Sequence, residues 1–509
     1  MLHAATCDLP NHADAPAPPQ WKWLVLVLIV AMVEMILFWP FATDYLQWLR
    51  IDQGAAMRLD QLLARGLIPT IDFTYFYGPL GLMVTRFVMG CAGPEPLALI
   101  LLQYVGGFLM SWQVWRLSEI CRWGGAARTM MAVWLFWIVI PIHLSTVHLL
   151  EKIFLLASFQ QLASGNRSGA WVWAITAAWV KAGLGYLLLA GLFALELHSL
   201  ATGRRTRVES LRMIRIPILW AVIGTLGFLA IFGRLSLWQM LWPSIPRKFY
   251  QDEGYGFFRP IGRVIWDPAA NSWMNYLFEP FASWILLSVG LLVGAGVILG
   301  AWRRFGGTAE SDLRLLMGGL AGAGMFLLYG HPATWFYFCT FTFVASAGWL
   351  NRLSAWPRLQ FQCVGVAILA TLPPMLIFGG YQITAWQNRV PLGPGEILGQ
   401  SPKLVDEYHQ LLQRNPEPFV VLASFPESVF DPRFIAPECG WLTTMPVYTP
   451  REQAAVRAVT QGRRLAIPLP QEANEYERIQ QWPLMRELLA GRKSLWRGKL
   501  FELFDVPSE

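Results

Sequence analysis

The sequence predicts an α-helical polytopic membrane protein of about eleven transmembrane helices, followed by a small extracytoplasmic α/β domain. Three observations carry that expectation. The 509-residue chain is 55% hydrophobic and only 14% charged, with a mean hydropathy of +0.40, whereas a soluble chain is roughly 25% charged. Apolar stretches of about 20 residues, the length of a bilayer-crossing helix, recur along the chain. The loops between them carry arginine clusters that alternate with longer, less basic loops, as inside-positive topology requires. The same composition excludes disordered, collagenous and disulfide-scaffold classes, since Cys is 6 residues and the 44 Gly and 34 Pro show no period. The net charge of +7 lies largely on those short arginine loops, so it signals topology and not nucleic-acid binding. No two cysteines have C-x-x-C spacing.

Residues 1–21 form a polar, Pro/Ala-rich tail expected on the cytoplasmic side. The stretch that follows is too long for a signal-peptide core and reads as a first anchor. The basic clusters Arg116/Arg122/Arg128, Arg204/Arg205/Arg207/Arg212/Arg215 and Arg303/Arg304/Arg314, then Arg352 and Arg358, mark the inner loops. Spans then fit at 22–42, 95–115, 129–146, 149–163, 170–183, 184–202, 214–233, 281–301, 315–331, 333–350 and 359–380. The predicted transmembrane domain is 22–380, with large outer loops at 43–94 and 234–280 and an outer α/β domain at 381–509. In that tail, PFVVLAS (418–424) and RLAIPL (464–469) read as strands, SPKLVDEYHQLLQR (401–414) as an amphipathic helix, and KLFELFDV (499–506) as an edge strand.

Motifs of soluble enzymes are missing: no phosphate loop, no H-E-x-x-H, no G-x-S-x-G and no D-x-D pair for a metal-held nucleotide sugar. The unusual stretch is the first outer loop, IDQGAAMRLDQLLARGLIPTIDFTYFYGPLG (51–81). Asp52 and Asp72 bracket an amphipathic helix ending at Gly66, and Asp72 runs directly into aromatics and Gly78-Pro79. Residues 79–93 are apolar but short for a span, so the loop is expected on the membrane surface with both acids at the headgroup boundary. An enzyme acting on a lipid-linked substrate needs a general base at that depth; a solvated connector is the plain alternative.

The order of Asp, amphipathic helix, Gly, Pro, Asp-Phe and aromatic-Gly-Pro-Leu resembles the first outer loop of the C-type (GT-C) glycosyltransferases, which use polyprenyl-phosphate sugars. In layout the chain is similar to bacterial aminoarabinose transferases and protein O-mannosyltransferases. STVHLLEK (145–152) and AWVWAITAAWVKAGLGY (170–186) extend the likeness, which covers residues 20–380 by layout and three short patches by motif. The resemblance implies the bacterial cytoplasmic (inner) membrane, a periplasmic C-terminal domain, a polyprenyl-phosphate sugar donor, and a lipid, glycan or protein acceptor. It assigns Asp52 as catalytic base or metal-associated carboxylate and Lys181 as the donor-phosphate residue; Asp72, the second acid of the loop, is the other catalytic candidate. A tentative divalent metal falls on Asp52, Glu151 and His148, the last two sharing a helix face at i, i+3. Two departures stand out: Gln53 where many members have Glu, and Tyr77-Gly78 where the aminoarabinose transferases have Glu-Lys.

Each of these residues has a plainer alternative. Lys181 can snorkel to the headgroups instead of holding phosphate, and the His148/Glu151 pair can be a polar helix end at the interface. Arg247 and Lys248, with Arg259 and Arg263, put positive charge in the second outer loop as secondary phosphate candidates or headgroup anchors. His331 beside Pro332 fits a turn, Glu34 a helix contact, and Glu196 and His198 the inner interface. A transporter or flippase, or a non-catalytic envelope subunit, are the rival classes. No internal repeat is seen, and the distinctive charges lie at the outer edge and not at mid-membrane, which favours the enzyme.

Overall fold

The computed structural model describes residues 47–75, 77–92, 96–139, 146–242, 346–388, 402–422, 433–439, 449–469, 483–499 and 501–507, with Val25, Ile29 and Val344 as single positions. The described part is mostly helical. The first loop holds α1 (Gln47–Ala64) and α2 (Pro79–Ala92); α3 (Pro96–Ile120), α4 (Gly125–Val139), α5 (Thr146–Ala163), α6 (Arg167–Val180), α7 (Ala182–Ala201) and α8 (Arg207–Phe232) follow, then the short α9 (Arg234–Leu241) and the long α10 (Pro357–Gln387). Among the described residues, α7 and α8 are long and apolar enough to cross a membrane. The expected spans at 281–301 and 315–331 and most of 22–42 and 333–350 lie outside the described residues.

Local sequence accounts for the helix boundaries. Asn166 caps α6 through its side chain on the Gly169 amide, and Thr206 with Glu209 closes a reciprocal capping box at the start of α8. Alpha6 and α7 are separated by a single residue, Lys181, in extended backbone (φ −149°, ψ 120°). Such a tight reversal needs small residues: a Cβ on Gly185 would stand 2.3 Å from the Ala178 Cα. Helices α3 to α7 and α10 enclose one apolar core that includes Met110, Leu117, Trp134, Leu155, Phe159, Ala174 and Leu188. A second apolar cluster joins the first loop to α6, α8 and α9 through Leu62, Phe73, Leu82, Trp179, Phe228 and Met240. Burial of whole side chains of this kind is worth ~1.5–3 kcal/mol each.

The C-terminal part contains α11 (Pro402–Arg414), α12 (Pro450–Thr460), α13 (Pro483–Leu489) and strands β1 (Phe419–Val421), β2 (Phe434–Ile435), β3 (Leu465–Pro468), β4 (Ser494–Arg497) and β5 (Phe501–Phe504). The sheet order is β2-β1-β3-β5-β4. Beta1 is parallel to both β2 and β3, while β5 is antiparallel to β3 and β4. The expected edge strand is thus an interior one: all four residues of β5 are buried, and β4, mostly exposed, takes the edge. The KLFELFDV run lacks the polar alternation of an edge because both its faces are covered, by Leu411 on one side and by Val456 and Leu488 on the other.

Candidate functional site

The site is assembled where the first loop meets the reversal between α6 and α7. Gly78 donates its amide hydrogen to the Val180 carbonyl at 2.8 Å. A Cβ at this position would lie 2.0 Å from the Trp179 carbonyl oxygen, so the backbones can approach this closely only at glycine. Tyr75 donates its hydroxyl to the Gly78 carbonyl (3.2 Å), and its ring meets Tyr77 edge-on, centroids 5.9 Å apart. That contact holds Tyr77 against the reversal, with the Lys181 ammonium 5.6 Å from the Tyr77 ring centroid.

Alpha5 supplies the other wall. His148 Nδ1 lies 3.2 Å from Lys181 Nζ and 3.9 Å from the Glu151 carboxylate. Its ring meets Tyr77 at 5.9 Å between centroids and 78° between planes. His148, Glu151 and Lys152 are all buried on the first turns of α5, and both Lys152 and Lys181 act electrostatically on Glu151. The Leu184 backbone N–H lies toward the Glu151 carboxylate, yet neither carboxylate oxygen completes a hydrogen bond. A buried carboxylate under the influence of two lysines is unusual in a finished core.

Of the residues singled out from sequence, the structure brings together His148, Glu151 and Lys181, and places Tyr77-Gly78 against them. STVHLLEK turns out to be helix from Thr146 on, which is why the i, i+3 pair meets. Asp52 lies in α1, and its side chain falls outside those described. Asp72 pairs with Arg451 of the C-terminal domain at 2.6 Å and accepts the Ile68 amide hydrogen at 2.7 Å. Arg247, Lys248, Arg259, Arg263, Glu34 and His331 lie outside the described residues. Glu196 forms an ion pair with Arg167 at 2.5 Å, which joins α6 to α7. Lys152 was not singled out from sequence; its only signal was adjacency to Glu151.

Of the residues expected to share a metal, His148 and Glu151 lie together, and the Asp52 side chain falls outside those described. Lys181 occupies the Nδ1 side of His148, and two ammonium groups already act on the one carboxylate, so a dication would meet repulsion from both. Among the described residues no three His, Cys, Asp or Glu side chains are grouped to share a metal ion.

No family model matches the chain, and no curated protein sequence does. Two solved structures share its fold. ArnT from Cupriavidus metallidurans, bound to undecaprenyl phosphate, superimposes with a TM-score of 0.51 at 13% identity, covering 95% of this chain and 98% of that one. The oligosaccharyltransferase of Archaeoglobus fulgidus, in complex with Zn and sulfate, gives a TM-score of 0.53 at 12% identity over 92% of this chain and 71% of that one. The chain has a GT-C-like fold.

Proposed function

We propose that this chain is a membrane glycosyltransferase that moves a sugar from a polyprenyl-phosphate-linked donor to an acceptor hydroxyl on the outer face of the membrane. The observation that supports it most is the cluster at the α6–α7 reversal. Glu151, Lys152 and Lys181 sum to one net positive charge when His148 is neutral. That charge sits beside the Tyr77-Gly78 corner of the loop that carries Asp52, in a fold shared with a protein crystallised on undecaprenyl phosphate. A phosphate ester leaving group suits such a cluster, because ammonium groups in a water-poor site stabilise the charge that grows as the ester departs.

In the proposed reaction the acceptor oxygen attacks the anomeric carbon, its proton passes to the Asp52 carboxylate, and the bond from that carbon to the phosphate oxygen breaks, releasing polyprenyl phosphate. Lys181, steered by Tyr77 and His148, faces the phosphate; Lys152 adds positive potential from the next position on α5. Glu151 holds the two ammonium groups in place and keeps the site from carrying two uncompensated charges. Arg247 and Lys248 are the further phosphate candidates on the second outer loop. The C-terminal domain, 381–509, lies on the same outer side and covers or selects the acceptor.

The test is transfer from a synthetic polyprenyl-phosphate sugar by purified protein in lipid nanodiscs, with donor binding measured separately. Wild-type protein should transfer the sugar, and Asp52→Asn should bind donor but transfer little. Donor hydrolysis or transfer unchanged by Asp52→Asn would move the base elsewhere, and absence of both binding and transfer for a panel of such donors would sink the proposal.

A further inference from the structure

The first loop is tied to the C-terminal domain at three separate points. Arg58, in the middle of α1 and only 5% exposed, donates from Nη2 to the Ala436 carbonyl at 2.9 Å and to the Pro437 carbonyl. From Nη1 it donates to Gln61 Oε1 at 3.4 Å. Seven residues further on, just past the end of α1, Arg65 pairs with Glu438 at the surface (3.1 Å). In the turn that follows, Asp72 pairs with Arg451 and the Thr74 hydroxyl donates to the Glu452 carboxylate. Glu452 is 1% exposed and accepts from the Thr449 hydroxyl at 2.9 Å, so the cap of α12 is also the socket for Thr74.

On its other flank the same turn is held by α9. Ser236 donates to the Pro69 carbonyl at 2.6 Å, and Thr70 donates to the Ser236 carbonyl at 3.4 Å. Between these holds Thr70 adopts φ +65°, a left-handed conformation that a β-branched residue rarely takes. A turn released from either side would relax out of it. The segment from Thr70 leads within a few residues to Tyr77 and Gly78, which stand against Lys181.

We infer that the C-terminal domain acts on the transfer reaction through the first loop, with Arg58 and the Thr74–Glu452 contact as positioning groups that hold α1 and the 68–78 segment in the geometry the reaction needs. Arg58 touches no reacting atom; it acts through α1, the helix that also carries Asp52. The buried guanidinium suits this role because one nitrogen grips two consecutive carbonyls, a grip that a single-point ammonium reproduces only in part. This inference rests on the proposed glycosyltransferase activity for its kinetic arm but not for its structural arm.

The experiment uses the full chain in nanodiscs and compares Arg58→Met, Arg58→Lys and Glu452→Gln with wild type. Arg457→Met, which removes an exposed pair with Glu487 inside the C-terminal domain, is the charge-matched control. Without donor, hydrogen exchange of residues 47–78 should speed up by about tenfold or more in Arg58→Met. Exchange in β1, β3 and β5 should stay at the wild-type rate, and the control should change neither region. With donor, kcat should fall by a similar factor while the donor KM stays within about twofold, and Arg58→Lys should recover part of kcat. Uniform loosening of the whole protein, an unchanged loop, or a loosened loop with unchanged kcat would each overturn the inference. If wild-type protein transfers no sugar, the functional proposal fails by itself and the exchange measurement still decides whether the domain holds the loop.

Discussion

Two polar regions meet the first loop, and they are built in opposite ways. At the seam with the C-terminal domain the buried polar atoms are nearly all bonded. Glu452 accepts from two hydroxyls, Arg58 fills carbonyls with one guanidinium nitrogen, and Arg58 Nε is its one donor without a hydrogen-bond partner. Burial also drives the Cys439 thiol, between Arg58 and Glu452, well above its ordinary pKa; the Glu452 carboxylate acts in the same direction and Arg58 opposes it. That thiol is therefore a small neutral filler. At the α6–α7 reversal, by contrast, Glu151 is fully buried with both oxygens unbonded, and ammonium groups crowd around it. A saturated seam fixes one geometry, whereas unsatisfied charge stores interaction capacity for a partner. On the proposed function the first region holds and the second binds.

The sharpest way to break that division is to neutralise the proposed base. Asp52→Asn keeps side-chain size and removes basicity, so transfer should fall by about 10²–10⁴-fold with donor binding retained in a titration. Equal loss from a change at the seam would erase the distinction between holding and reacting groups.

Lys181→Met comes next. On the proposed function it deletes one donor to the leaving phosphate but no proton acceptor, so donor affinity should drop by roughly ten- to hundredfold, the range expected for a hydrogen bond to a charged group. Binding isotherms with polyprenyl phosphate alone suffice. Unchanged affinity would mean that the ammonium serves Tyr77 and His148 and not a ligand.

Gly78→Ala tests the junction between the two regions. The added Cβ meets backbone, not a flexible side chain, so the loop must lift off the reversal, at a cost of about 1–3 kcal/mol or more. Thermal unfolding should show the loss, and alanine at Gly66 gives the comparison: a Cβ there meets nothing within 4 Å, though φ is +79°. A smaller loss at Gly78 than at Gly66 would show that strain in φ outweighs the close approach.

Much of this arrangement was legible in the sequence, and what was not has a physical reason. Helical spacing put His148 and Glu151 together and apolar length located α7 and α8, whereas the close backbone approach at Gly78 appears only in the structure. Strand-like runs found β1, β3 and β5, but strand order depends on pairings between distant segments, so β5 was expected at the edge it does not occupy. The seam was invisible for the same reason: Arg58 and Pro437 are 379 residues apart, and nothing local distinguishes Arg58 from the other arginines of the loop. Asp72 shows the limit most clearly, since its position before the aromatics reads equally as a reactive acid or as a turn residue, and nothing local announces its pairing with Arg451.

That pairing yields the smallest expected effect. The Asp72 side chain is 13% exposed and its partner Arg451 54%, so the ion pair is largely a surface one, worth ~0.2–1 kcal/mol. Asp72→Asn retains an oxygen for the Ile68 amide and loses only the charge opposite Arg451. Sugar transfer should therefore stay within a few-fold of wild type, and the remaining deficit should shrink in the double variant Asp72→Asn/Arg451→Met, where no charge is left to miss its partner. Added salt should weaken the wild-type advantage in the same way, because an exposed pair is screened at high ionic strength. A loss in Asp72→Asn approaching that of Asp52→Asn, with exchange of residues 47–78 unaltered, would place Asp72 among the reacting groups and move the boundary between holding and chemistry into the turn itself.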